Sequence, residues 1–259
     1  MGGAPGAPSV KHRFFVSADQ LQGDSVTFSP EQWHQLHTVL RLRIGDCVGV
    51  FDGVEPVDRR VELVGSATGR VVDEQPQPPE PRTRLVAYPS LLQRDKFELV
   101  LQKLTEIGAA AIVPVLSARS LVRQPPDDGR QARWRAILRE ASEQSRRGVV
   151  PELLPPLSLT RAIERATSEG TVVMAYEEER RRSLRKALEG APQTVSIFVG
   201  PEGGYTAEEA AAATTAGAQL VTLGPRVLRT ETASPLLAAL VLYELGDLSS
   251  ALDDPQSRS

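Results

Sequence analysis

From Leu85 onward, short apolar runs take turns with stretches of helical spacing, and this alternation limits the possible folds more than any other feature. Residues 85–88, 111–116, 171–175, 195–199 and 220–223 read as strands. Between them, 95–107, 130–147, 178–188, 206–217 and 235–245 read as helices. Gly108 is a natural stop for the first, and Ser234 before Pro235 is the expected N-cap of the last. In the second, Trp134, Ile137, Leu138 and Ala141 fall on one inward face. Strands that alternate with helices pair in parallel and are covered on both faces, so the fold class is α/β with a doubly covered parallel sheet.

The chain before this region has a different texture. Residues 12–16, 47–51, 60–63 and 67–72 are short strand-like segments with turn signals between them, the pattern of a small β-barrel. One short helix interrupts them, with Ser29 as N-cap, Pro30 in its first turn, and Trp33, Leu36, Val39 and Leu40 along one side. Pro76, Pro78, Pro79 and Pro81 mark a stiff linker. The expected organisation is a disordered arm over 1–11, a barrel over 12–75, a linker over 76–82, an α/β domain over 83–247 and a loose tail over 248–259.

No stretch approaches the ~20 apolar residues of a membrane span, and the N-terminal arm lacks the apolar core of a signal peptide. The single cysteine, Cys47, excludes an internal disulfide framework and any cysteine-based zinc cage. A reducing cytoplasm is the expected location. Cys47 reads as a small core residue. His34 and His37 share a helix face but lack carboxylate or thiol companions at ligand spacing, so no metal site is expected.

The net charge of −3 hides an uneven distribution. Residues 76–150 carry 13 Lys/Arg against 8 Asp/Glu, whereas 151–259 carry 10 against 15. Of the 30 basic residues, 26 are arginine, whose planar fork suits phosphate oxygens. A polyanion responds to such local fields rather than to the total.

The sharpest chemistry follows the last two strands. Gly200-Pro201-Glu202-Gly203-Gly204 links an apolar strand to a helix that opens with the capping box Thr206-x-x-Glu209. Glycines there let a ligand touch the backbone; the plainer reading is a tight connection. A second loop, 223–235, also joins an apolar strand to an apolar helix. It holds Gly224, Arg226, Arg229, Glu231, Thr232 and Ala233, with Leu228 as an isolated apolar residue. The plainer reading makes Arg229 and Glu231 a surface ion pair. Loops at the carboxyl ends of parallel strands are where open α/β sheets bind ligands. Neither loop carries a nucleotide-phosphate signature, so a nucleoside ligand without a phosphate chain suits them better.

GPEGG at 200–204 and LGPRVLRTETA at 223–233 resemble the signatures of the RsmE family, methyltransferases of the SPOUT superfamily. HRFF at 12–15, HTVLRLRIGD at 37–46, QKLTEIGAAAIVPVLSARS at 102–120 and EQS at 143–145 extend the resemblance over most of the chain. The resemblance implies a PUA-like β-barrel followed by a SPOUT domain with a C-terminal trefoil knot. It also implies a homodimer, S-adenosylmethionine as cofactor, and methylation of uridine N3 in 16S ribosomal RNA, free or in the 30S subunit. The cofactor is then expected among Met174, Gly200, Pro201, Glu202, Gly203, Leu223, Gly224, Arg226, Leu228, Thr232 and Ala233, with Leu223 and Leu228 against the adenine. Glu231 is the candidate base and Arg229 the candidate stabiliser of the uracil oxygen. The candidate RNA contacts are Arg13, Arg41, Arg43, Arg119, Arg123, Arg146 and Arg147. A non-catalytic RNA-binding protein, or an enzyme acting on another RNA, are the alternatives.

Overall fold

A computed structural model describes residues 10–248, with Pro56 excepted. The expected arm and tail lie outside the described residues, apart from Val10, Lys11 and Leu248. The chain divides into two units: Met1–Glu80 with Ser142–Val150, and Pro81–Ala141 with Pro151–Ser259.

The first unit is a mixed six-stranded sheet. Its strands are β1 (Arg13–Phe15), β2 (Leu21–Gln22), β3 (Ser25–Thr27), β4 (Cys47–Phe51), β5 (Val57–Gly65) and β6 (Thr68–Pro76). They lie in the order β1-β4-β5-β6-β3-β2, with β1 parallel to β4 and the other pairs antiparallel. Arg59, Val61 and Leu63 of β5 are buried at alternate positions, the period of a strand with one covered face. Phe14, Val16, Val26, Phe28, Val48 and Val50 complete that core. Strand β6 runs through Pro76, so the first residue of the expected linker is strand.

Helix α1 (Pro30–His34) starts as the sequence indicates: the Ser29 hydroxyl accepts from the Gln32 amide, and the Gln32 side chain returns the bond. It then widens into a π-helical turn over Gln35–Val39, where the Leu40 amide reaches the Gln35 carbonyl. The extra residue per turn rotates Val39 out of the expected face, leaving it 63% exposed, while Trp33, Leu36 and Leu40 stay on the core. Cys47 is half-buried rather than a core residue, because it opens its strand.

Residues 142–150 group with this unit through polar anchors. The Phe15 amide donates to Glu143 Oε1 at 2.7 Å, and Arg13 Nη1 donates to the Ser142 carbonyl at 3.0 Å. The boundaries expected from sequence treat each domain as one continuous stretch, and this segment departs from that.

The second unit is built on six parallel strands in the order β10-β8-β7-β13-β12-β14. These are β7 (Arg84–Pro89), β8 (Ala111–Ile112), β10 (Glu152–Leu153), β12 (Thr171–Ala175), β13 (Thr194–Val199) and β14 (Gln219–Val221). Strand β9 (Val115–Leu116) pairs with β11 (Leu157–Ser158) in a separate two-stranded sheet. The single strand expected over 111–116 is therefore two, split at Pro114, which has no N–H for a ladder.

Alternate side chains go to opposite faces. Val86, Tyr88, Val172, Met174 and Phe198 join one core under α4 (Leu159–Glu169) and α6 (Ala207–Thr215). Tyr88 and Phe198 are register partners and stack with ring centres 4.4 Å apart. The other face is covered by α2 (Arg94–Ile107) and α7 (Thr230–Glu244), which pack on each other. Gly108 ends α2 at φ +115°, as its position suggested. Helix α3 (Asp128–Ser145) buries Trp134, Leu138 and Ala141, and Trp134 meets Phe97 of α2.

Three helices differ from expectation, the first being α4, which occupies a stretch not read as helix from the sequence. Only α5 (Leu184–Ala187) forms within 178–188. Glu179 turns back to accept from the Arg181 and Arg182 amides, and this local bond replaces the helix. Helix α7 starts at Thr230 rather than at Pro235, so Ser234 is a buried interior residue and not the N-cap. The cause is tertiary: the buried Thr230 hydroxyl donates to the Gly200 carbonyl at 2.9 Å and fixes the helix start there. Pro235 then sits inside the helix and gives up one backbone hydrogen bond.

Candidate active site

Strands β12, β13 and β14 end side by side, and the three loops that leave them enclose one cavity of about 500 Å³. It opens at the carboxyl edge of the sheet, where parallel α/β folds bind ligands. Ala175 and Val199 form its base at the strand ends.

The loops are stitched together through their backbones. Tyr176 N donates to the Val221 carbonyl at 3.1 Å, and Thr222 N to the Arg182 carbonyl at 3.3 Å. Thr230 ties the third loop to the first glycine of the second. At Gly200 an added Cβ lands 3.3 Å from the backbone of Gly204 and Tyr205, so a side chain there crowds the turn. Gly204 adopts φ +66°, a left-handed conformation in which Cβ is strained.

Outside the cavity the second loop is braced twice. The Glu209 carboxylate completes the capping box with Thr206 and also accepts from the Ala118 amide at 2.8 Å. Arg119 Nη1 donates to the Gly203 carbonyl at 2.9 Å. On the cavity side, Lys96 of α2 pairs with Glu202 at 3.0 Å.

Most of the expected site residues meet here. Gly200, Pro201, Glu202, Leu223, Gly224, Arg226, Leu228, Arg229, Glu231 and Ala233 all line the cavity. Three do not. Met174 is fully buried in the core because strand alternation turns it under α4 and α6, and its neighbour Ala175 takes the cavity position. Gly203 faces Arg119, and Thr232 is exposed on the outer side of α7. Sequence reasoning passed over Lys96, Tyr176, Glu177 and Arg180, which line it as well. Their signal was only a position after β12 or early in α2.

Glu231 Oε2 is buried and has no hydrogen-bond partner within the protein. Among the described residues no ion pair joins Arg229 to Glu231, so the plainer reading of that pair is set aside. Burial pushes the Tyr205 hydroxyl far above the usual phenol range, so it remains protonated at neutral pH. Burial also raises Tyr176, helped by its hydrogen bond to Glu178 at 3.0 Å.

The arginines expected on RNA separate into two groups. Arg13, half-buried, and Arg147, buried, are fixtures of the first unit. Arg13 bonds Asp58 at 2.6 Å and lies 3.8 Å over the Phe51 ring. Arg147 Nε donates to Glu80 at 3.1 Å, and its side chain is 8% exposed. Guanidinium groups held in this way are not presented to an external phosphate. Arg41, Arg43 and Arg146 on that unit, and Arg119 and Arg123 on the other, are exposed.

Among the described residues no group of three His, Cys, Asp or Glu side chains is placed to hold a metal ion. His37 instead stacks on Trp33 at 5.7 Å. No described helix is long and apolar enough to cross a membrane.

The cavity's setting has known counterparts. An RNA methyltransferase domain model matches residues 78–242. The ribosomal RNA small subunit methyltransferase E of Mycobacterium tuberculosis is 34% identical over 251 residues, 93% of each chain. The crystal structure of the Neisseria gonorrhoeae ribosomal RNA small subunit methyltransferase E, bound to S-adenosyl methionine, superposes with a TM-score of 0.83 at 31% identity. It covers 92% of this chain and 99% of its own. A Legionella pneumophila methyltransferase solved with the same cofactor gives a TM-score of 0.78 at 26% identity, over 89% of this chain and 96% of its own. With matches of this length in sequence and in structure, the chain belongs to the ribosomal RNA small subunit methyltransferase E family of RNA methyltransferases.

Proposed function

We propose that this protein transfers a methyl group from S-adenosylmethionine to N3 of a specific uridine in 16S ribosomal RNA, as free RNA or within the 30S subunit. The observation that carries the reading is the Glu231 carboxylate oxygen, buried and unpartnered on the wall of a cavity that both glycine loops enclose.

The residues fit the cofactor. Gly200 and Gly224 leave backbone open to a nucleoside, Leu223 and Leu228 offer apolar surface to an adenine, and Glu177 supplies negative charge suited to a sulfonium. When bound, the cofactor supplies an activated methyl group; the protein supplies position and proton handling. Uracil N3 carries a proton at neutral pH that must leave. Glu231 accepts it, and Arg229 stabilises the charge that develops on the uracil oxygens. The uridine enters unpaired or flipped, since N3 is hidden in a base pair.

The first unit serves as a PUA-like RNA-binding barrel, with Arg41, Arg43 and Arg146 as its RNA contacts; Arg119 and Arg123 are RNA contacts of the second unit. The second is a SPOUT domain. Strand β13 lies between β7 and β12, β14 lies beyond β12, and α7 returns beneath β13 and β7 with its first residue bonded to Gly200. This path supports a trefoil knot, one of the rare exceptions to unknotted connections. Exposed Leu99, Leu236 and Tyr243 on α2 and α7 support a homodimer through that face. The protein works in the cytoplasm, where ribosomes are assembled.

The test is incubation with labelled S-adenosylmethionine and ribosomal RNA from a strain lacking the enzyme, followed by nucleoside analysis. The expected product is N3-methyluridine. No transfer favours a non-catalytic RNA-binding protein, and a different methylated nucleoside favours another RNA target; either sinks the proposal.

A further inference from the structure

Arg180 lines the cavity but belongs to neither glycine loop. It sits between β12 and α5, in the charged segment that looked helical and is irregular. Its neighbours are pinned: Glu179 accepts from the Arg181 and Arg182 amides at 2.7 and 3.1 Å, and the Arg182 carbonyl accepts from Thr222. The backbone that presents Arg180 is therefore fixed to the loop that carries Arg226 and Arg229.

These three arginines share one cavity, and among the described residues none of them forms an ion pair. The rim's acidic groups leave them open. Glu202 is engaged by Lys96, and Glu177 is directed to Gly204, where an added Cβ lies 3.2 Å from its Oε1. An exposed guanidinium on a braced backbone, beside a reaction cavity and without a carboxylate, is set for an anion arriving from outside.

We propose that Arg180 is a positioning residue for the target RNA, binding a phosphate next to the uridine that enters the cavity. This rests on the reading of the cavity as an RNA methyltransferase site. Phosphate contacts fix register without reading sequence, so Arg180 places the base over the cofactor and takes no part in the chemistry.

The test uses the full chain and its Arg180→Ala and Arg180→Lys variants. Three quantities are measured: RNA affinity across a salt series, S-adenosylmethionine affinity without RNA, and KM for RNA. For Arg180→Ala the expected result is about a ten-fold rise in KM for RNA and a salt slope shallower by roughly 0.7, one single-strand phosphate contact. Cofactor affinity and melting temperature stay unchanged, and lysine recovers most of the RNA affinity. An unchanged salt slope overturns the proposal. If cofactor affinity falls instead, Arg180 serves the cofactor carboxylate and the proposal is equally overturned. The salt series needs no turnover, so it tests Arg180 even if the wild-type protein transfers no methyl group, a result that counts against the reading of the cavity.

Discussion

Two sets of arginines, one from each unit, do opposite jobs. In the first, the half-buried Arg13 and the buried Arg59 and Arg147 are tied to carboxylates, and Arg59 alone faces Asp52, Glu55 and Glu74. Around the cavity of the second, Arg180, Arg226 and Arg229 line open space without a carboxylate partner among the described residues. The same side chain is thus structural where its charge is already neutralised and functional where it is not. A buried pair costs nearly as much to desolvate as it returns, yet removing one partner is expensive. Stability and activity are therefore expected to separate cleanly between the two sets.

The largest effect tests the open set. Arg229→Ala and Glu231→Gln are each expected to lower kcat about a thousand-fold, or ~4 kcal/mol, while S-adenosylmethionine affinity stays within a few fold. Their urea midpoints are expected to match wild type, and near-normal turnover in both removes them from the chemistry.

Next comes the fixed set. Arg147→Ala leaves Glu80 without its partner and is expected to cost about 3 kcal/mol in urea unfolding. Turnover and RNA affinity of the folded fraction are expected to hold. A loss of RNA affinity at unchanged stability breaks the contrast.

The smallest effect falls on the join between the cavity loops. Thr230→Val leaves the Gly200 carbonyl without its donor and is expected to weaken cofactor binding about ten-fold, ~1.4 kcal/mol, by calorimetry. Thr230→Ser keeps the hydroxyl and is expected to bind as wild type does. Equal losses in both variants point to packing rather than to the hydrogen bond.

The parallel sheet was readable because β7, β12 and β13 are buried on both faces and so appear as continuous apolar runs. The two glycine loops were readable because each follows a short apolar run. What escaped depends on distant partners. Asp58 lies 45 residues from Arg13, and Glu80 lies 67 from Arg147, so local charge counts could not show either as neutralised. The Glu177–Arg182 charge run has the spacing of a helix, but bonds to Val221 and Thr222 hold its ends in a loop. Ser234-Pro235 has the form of a helix start, yet Thr230 meets Gly200 first. For Met174, strand alternation was visible, but which parity faced the core was not.

The placement of α7 has a consequence for how the protein is made. This helix covers β7, the first strand of the parallel sheet to be synthesised, and fully buries Leu237, Ala238, Val241 and Leu242. While the ribosome is still translating residues 90–229, the face of β7 that carries Leu85 and Ala87 lacks its lid. Non-local closure of this kind is slow and leaves apolar surface open meanwhile. A premature stop between β14 and codon 230 would leave all six strands in place without their α7 cover, rather than yield a shortened enzyme.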